Sequence, residues 1–316
     1  MEIVTNFLTN SPWIQLFCAR IPLFIGVILY LAFAGVGAML IAGRALAKQR
    51  KRTSYDKCAQ QLGYVALLFG IPMIVGFKAY LYLETGSLYP VSVEGYFIET
   101  AWFMTALTVF YIFLYVSVWK SISKKTWLQN IFGSICFLQG ISSILVVLII
   151  SKVIANPNFD LTYQKPQEFF QSIIPTPLSP AFNAAICLIP IFFILPAIFG
   201  NIGLLFLRYI NDYGRDHYNI AIGWCTNWIK IFGILLCLIV LTTSGINIWQ
   251  QYEAKILNYW DWLDEGIFLF LWIIISVIMS SITKSQLPLR HKFSMIFADL
   301  LALVSIYFCI DWWLAK

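Results

Sequence analysis

Apolar residues along this chain come in long unbroken runs separated by short, charge-rich breaks. A helix needs about 20 mostly apolar residues to cross the hydrocarbon core of a bilayer. Eight runs meet or approach that length, at 21–43, 62–83, 97–119, 130–152, 181–207, 219–246, 265–282 and 293–314. They are continuous, as in Ile144 to Ile150, without the alternation of a barrel strand. The pattern predicts an all-α integral membrane protein, one polytopic domain over 1–316, built as a bundle of about eight transmembrane helices. The fifth and sixth runs exceed one crossing and predict tilt or extension beyond the membrane. The longest break, 153–180, holds Pro157, Pro166, Pro175, Pro177 and Pro180. It predicts an irregular connection with a short surface helix at 166–173, dividing the runs into two groups of four. The later break at 247–264 is shorter.

The breaks are not alike in charge. Those after runs 1, 3, 5 and 7 hold Arg44, Lys48, Arg50, Lys51, Arg52, Lys57, Lys120, Lys124, Lys125, Arg208, Arg215, Lys284, Arg290 and Lys292, fourteen of the 21 basic residues. Their only acids are Asp56, Asp212 and Asp216, whereas Glu2, Glu84, Glu94, Asp160, Glu168, Glu253, Asp261, Asp264, Glu265 and Asp311 collect on the other side. The positive-inside rule makes the basic side cytoplasmic. Both termini are then expected outside the cytoplasm, on the periplasmic side of a bacterial-type inner membrane. Aromatic anchors fall where interfaces should lie: Tyr80, Tyr82, Tyr89, Trp249, Tyr259, Trp260, Trp262, Trp312 and Trp313. Met1–Leu16 lacks the basic start of a signal peptide and carries Glu2, which suggests an outer-surface segment with Trp13 at the interface.

Composition narrows the functional classes. At 60% hydrophobic and 11% charged, the chain excludes an ordinary soluble enzyme, a disordered protein and a nucleic-acid-binding domain. The net charge of +6 is a topology signal, so no nucleic-acid partner is implied. The seven cysteines form no CxxC pair and read as small hydrophobes, not as metal ligands. His217 and His291 both fall in cytoplasmic breaks as solvated residues, so no bis-histidine haem is expected within the bundle. Phosphate-binding loops and a nucleophile elbow are missing. Gly26, Gly35, Gly37 and Gly43 in the first run suit close helix packing.

Ionisable residues inside spans are costly and point to function by default. Lys78, Glu99, Lys230 and Asp299 qualify. Lys78 and Glu99 lie at matching depth and are expected to pair; Lys230 and Asp299 form a second candidate pair. Such pairs either fix helix register or serve a proton path or a quinone pocket near the outer face.

The order of features resembles the N-terminal part of cytochrome bd quinol oxidase subunit I. The resemblance rests on Ala155-Asn156-Pro157-Asn158-Phe159, the prolyl connection, and Leu178-Ser179-Pro180-Ala181-Phe182. It extends to Gly70-Ile71-Pro72, Glu84-Thr85-Gly86-Ser87, Val93-Glu94-Gly95 and Phe97-Ile98-Glu99-Thr100. It covers about residues 14–246. The family's haem-ligand histidines are missing from Leu16–Ile21 and Phe182–Ala185, and its long quinol-binding loop is reduced to 247–264. The resemblance implies an oxidase-subunit scaffold without haem, one that is not catalytic alone. Its partners would be the bilayer and a cytochrome or second oxidase-type membrane subunit. Glu94 and Glu99, with Lys78, would form a proton or quinone site; quinone is the one cofactor in view, and no metal is. The rival readings are a transporter, with Lys230 and Asp299 facing one aqueous cavity, and a purely structural or assembly subunit.

Overall fold

The computed structural model describes residues 12–89, 93–122, 126–155, 180–211, 213–253 and 263–315. Among these, the backbone forms eight long α-helices and no strand. They are α1 (Pro12–Arg50), α2 (Ser54–Thr85), α3 (Val93–Ile122), α4 (Thr126–Ala155), α5 (Pro180–Ile210), α6 (Arg215–Glu253), α7 (Leu263–Lys284) and α8 (Lys292–Ala315). A four-residue 3-10 turn, Pro288–His291, precedes α8. Each helix contains one of the apolar runs. Six of them hold segments long and apolar enough to cross a membrane: Ile25–Arg50, Ser54–Leu83, Glu99–Trp119, Ile186–Ile210, Arg215–Glu253 and Glu265–Lys284. The chain is an integral membrane protein of helical type, with the lipid bilayer as its environment.

The helices overrun the apolar runs at several ends. α1 and α6 are each 39 residues long, about 58 Å at the helical rise, well beyond a hydrocarbon core of about 30 Å. The basic stretch after the first run is mostly helix, because α1 continues to Arg50 and α2 begins at Ser54. Lys, Arg, Ala and Gln are good helix formers, and Lys48 and Arg50 in the last turn complement the α1 dipole. The reversal is made at Lys51, whose φ of 52° is left-handed. At the other end, α1 reaches back to Pro12, so Trp13 belongs to the helix that forms the first run. The helix expected at 166–173 and the anchors Tyr259, Trp260 and Trp262 lie outside the described residues.

The helices form two groups of four. In the first, α1 packs on α2 and α4, and α3 closes the ring between α2 and α4. In the second, α5 packs on α6 and α8, and α7 closes the ring. The groups join mainly through α1 and α5, with α2 also touching α5 and α6. Gln61 near the start of α2, Leu207 near the end of α5 and Tyr218 near the start of α6 meet through hydrogen bonds. α1 and α5 therefore run in the same direction and end on one face. That face also gathers Lys57, over the Tyr213 ring, and Arg208, Arg215, Arg290 and Lys292, so several of the expected basic breaks meet at one end of the bundle.

Small residues set the seam, as helix association inside lipid requires close van der Waals contact rather than a hydrophobic drive. A Cβ on Gly35 would strike the carbonyl oxygen of Phe192 and come within 3.1 Å of the Pro196 ring. One on Gly37 would lie 2.7 Å from the Phe137 backbone, and one on Gly43 2.8 Å from Ala59 Cβ. Gly140 of α4 meets the Ala34 carbonyl in the same way. Gly26, by contrast, faces open space. We predict that Gly35→Leu forces α1 and α5 apart and lowers the Tm of the detergent-solubilised protein, at a cost of at least about 1–3 kcal/mol. Gly26→Leu should leave the Tm unchanged. Equal melting of the two variants would contradict this seam.

Candidate functional site

Lys78 sits two turns before the end of α2, and Glu99 two turns into α3. α2 stops at Gly86, whose left-handed φ of 66° lets its N–H donate to the Tyr82 carbonyl at 2.8 Å. The turn that follows brings the Leu88 carbonyl back toward the bundle. The Lys78 ammonium donates to the Glu99 carboxylate and to the Leu88 oxygen at 3.3 Å. It also lies 4.4 Å from the centre of the Trp102 ring, a cation–π geometry. The expected Lys78–Glu99 pair is formed. Lys78 is 25% exposed and Glu99 30%, so the pair is open at one side while the indole and the carbonyl hold it from the others. Glu94 lies in the first turn of α3, and its side chain is outside the described set.

The second expected pair does not form. Asp299 is buried on α8 and accepts hydrogen bonds from the Asn201 amide of α5, at 3.3 and 3.4 Å to its two oxygens. Lys230 is half-buried on α6 and makes no ion pair among the described residues. Depth explains the miss. α6 and α8 start on the same face; Lys230 lies fifteen residues into α6 and Asp299 seven into α8, a difference of about 12 Å at the helical rise. Asn201 lies at the level of Asp299, and a neutral amide supplied the donor that the charge pattern had assigned to a lysine. Removing only the donor should strand the carboxyl group. Asn201→Leu is expected to cost about 1–3 kcal/mol, and adding Asp299→Leu should recover most of it, read as Tm.

His217 also departs from its expected place. It is buried in the first turn of α6, with its Nε2 2.9 Å from the Gln61 side-chain oxygen. The Tyr213 and Tyr218 rings lie 5.2 and 5.0 Å from it. Gln61 donates in turn to the Tyr218 hydroxyl at 3.2 Å, and that hydroxyl's one hydrogen faces the carbonyls of both Leu207 and Asn211, at 3.1 and 3.2 Å. Asn219 receives the Leu289 N–H at 3.1 Å, tying the 3-10 turn to α6. This network fastens α2, α5, α6 and the turn at one end. The partners are 156 and 157 residues apart, so no local signal marks them. Gln61 occupies Nε2 of His217, and the Tyr213 and Tyr218 rings pack edge-on against the imidazole. His291 ends the 3-10 turn. Cys58, Cys136, Cys187, Cys225 and Cys309 are buried free thiols in the apolar core, as their sequence context implied.

Two cavities flank the second group of helices. One, of about 690 Å³, opens between α6 and α7 and is lined by Ile234, Leu238, Trp272 and Val277, with Ser276 and Ser280 as polar points. The other, of about 550 Å³, lies at the basic end. Neither is lined by Lys230 or Asp299. No family model matches the chain, and no curated protein or solved structure matches it either.

The Lys78–Glu99 pair should show as coupling in a double-mutant cycle of Lys78→Met and Glu99→Gln. We expect an interaction of about 1–3 kcal/mol in thermal unfolding, and partial recovery in the charge-swapped Lys78→Glu/Glu99→Lys protein. Strictly additive losses would show that the pair is incidental.

Proposed function

We propose that the chain is a haem-poor, cytochrome bd subunit-I-like membrane subunit of a respiratory or quinone-linked electron-transfer complex. In this reading all eight helices cross a bacterial inner membrane, with both termini on the periplasmic side. The subunit acts as scaffold or anchor and handles protons or a quinone headgroup near its outer face. Electrons are carried by the cofactors of a partner cytochrome or second oxidase-type subunit. The observation that carries the reading is the Lys78–Glu99 pair, set against Trp102 and the Leu88 carbonyl and open on one side. A carboxylate held beside an ammonium, within reach of the outer aqueous phase, accepts a proton or a hydroxyl hydrogen bond without a lone charge in the membrane. Lys78 compensates Glu99 at rest, and the indole limits water on the closed side. The motifs around Glu84, Glu94 and Glu99 and the Asn-Pro elements at 156–157 supply the likeness to the oxidase subunit.

A transporter is the less favoured reading. It requires Lys230 and Asp299 to face one aqueous cavity, whereas Asp299 is enclosed against Asn201 and Lys230 lies elsewhere. Gentle purification of the intact complex, followed by partner identification and an optical spectrum, tests the proposal. A haem-bearing partner should co-purify, with no haem stoichiometric to this chain. Glu99→Gln should then slow quinol oxidation by the complex several-fold while assembly is retained. A substoichiometric or absent cytochrome partner, or unchanged quinol oxidation in that variant, refutes the functional site and leaves a structural subunit.

A further inference from the structure

The cavity at the basic end is lined by four cations from four separate elements. Arg208 comes from the last turn of α5, Arg215 from the first turn of α6, Arg290 from the 3-10 turn and Lys292 from the start of α8. Among the described residues, no acidic side chain lines it. Among the described residues, none of the four cations has a carboxylate partner. Arg44 and Lys78, in contrast, are paired with Asp56 and Glu99. Four like charges around one cavity of about 550 Å³ repel one another. Tight backbone connections hold them there: the α5–α6 link turns at Gly214, with φ of 80°, and Asn219 grips the 3-10 turn at Leu289. The first turn of α6 directs the positive end of its dipole to the same end.

We propose that this cavity binds a phosphate-bearing anion, and that an anionic phospholipid headgroup supplies the phosphate. Guanidinium groups match phosphate oxygens bidentately, and basic pockets between membrane helices take such headgroups. The lipid source is favoured by the apolar surface around the site. Phe206, Tyr209, Ile210 and Phe293 are among the most exposed large hydrophobic side chains of the chain, and they flank Arg208 and Lys292 in sequence. Acyl chains can lie along them while the phosphate sits among the cations. This site is independent of Lys78 and Glu99 and stands or falls without the oxidase reading.

The test uses the full-length protein in a neutral detergent. Tm and native mass spectra are recorded with phosphatidylglycerol, cardiolipin, phosphatidylcholine or inorganic phosphate added at matched ionic strength. Phosphatidylglycerol or cardiolipin should raise Tm saturably by several degrees and remain bound in the mass spectrum; phosphatidylcholine should do neither. Arg208→Gln/Arg215→Gln/Arg290→Gln should weaken the effect by about tenfold or more, the scale of losing charge-assisted hydrogen bonds. Lys48→Gln/Lys51→Gln/Arg52→Gln, which removes the same charge from an exposed stretch, should retain it. Should the triple pocket variant fail to fold, the single exposed Arg290→Gln serves in its place. A saturable, variant-sensitive shift with inorganic phosphate alone overturns the lipid source. Equal responses of the two triple variants, or no shift with any anion, overturn the site.

Discussion

The packing of α1 against α5 is the contact on which the bundle depends. Pro196 lacks an N–H, so the Phe192 carbonyl four residues earlier has no helical partner. In lipid such a group must be satisfied within the protein. The chain brings Gly35 against it, where only a residue without a side chain permits the backbones to approach. The neighbouring Phe193 carbonyl receives the Trp228 indole N–H at 2.7 Å. The proline thus leaves the Phe192 acceptor on the face that meets α1, and α6 adds an indole donor to the next carbonyl along. α1 is in turn held on its other side by Gly37 and Gly140 against α4. The two groups of four helices are joined at the point where the backbone is least able to satisfy itself.

Polar groups elsewhere obey the same rule at different depths. Near one end, Lys78 is satisfied by a carboxylate, a carbonyl and a ring. Deeper in the second group, Asp299 is satisfied by an amide. At the opposite end from Lys78, Gln61 bonds both His217 Nε2 and the Tyr218 hydroxyl, which reaches the last carbonyls of α5. The four cations beside Tyr218 have no carboxylate partner among the described residues, and Arg208 and Lys292 lie over the Tyr209 and Phe293 rings instead. Gathered around one cavity, they are the setting in which we place an external anion.

How far each feature was legible in the sequence depends on the range of the interaction. The helices were legible because twenty apolar residues in a row have one economical structure in a bilayer. Gly35, Gly37 and Gly43 were legible as packing residues, whereas Gly26, read with them, faces open space. The Lys78–Glu99 pair was legible because the two residues belong to adjacent helices and their depths can be counted from a shared turn. Lys230 and Asp299 failed the same count once the true start of α6 at Arg215 was known. A charge pattern pairs lysine with aspartate by habit, and it cannot see that Asn201 occupies the matching depth. His217 was misplaced for a related reason. The apolar run begins after it, but the helix does not, and its partner Gln61 lies in another group of helices.

The division of labour between the two groups follows from these placements. The first group holds two ion pairs, Arg44–Asp56 near the basic end and Lys78–Glu99 near the end of α2, at the edge of the bundle. The second group keeps its carboxyl group sealed between α5 and α8 and turns its unbalanced cations to the opposite face. α5 belongs to all of this: it holds the Pro196 seam, the Asn201 amide and Arg208 along one helix. A headgroup seated at Arg208 would therefore press on the same helix that carries the seam. Under the proposed lipid site, filling that pocket would stiffen the joint between the two groups at the end away from the Lys78–Glu99 pair.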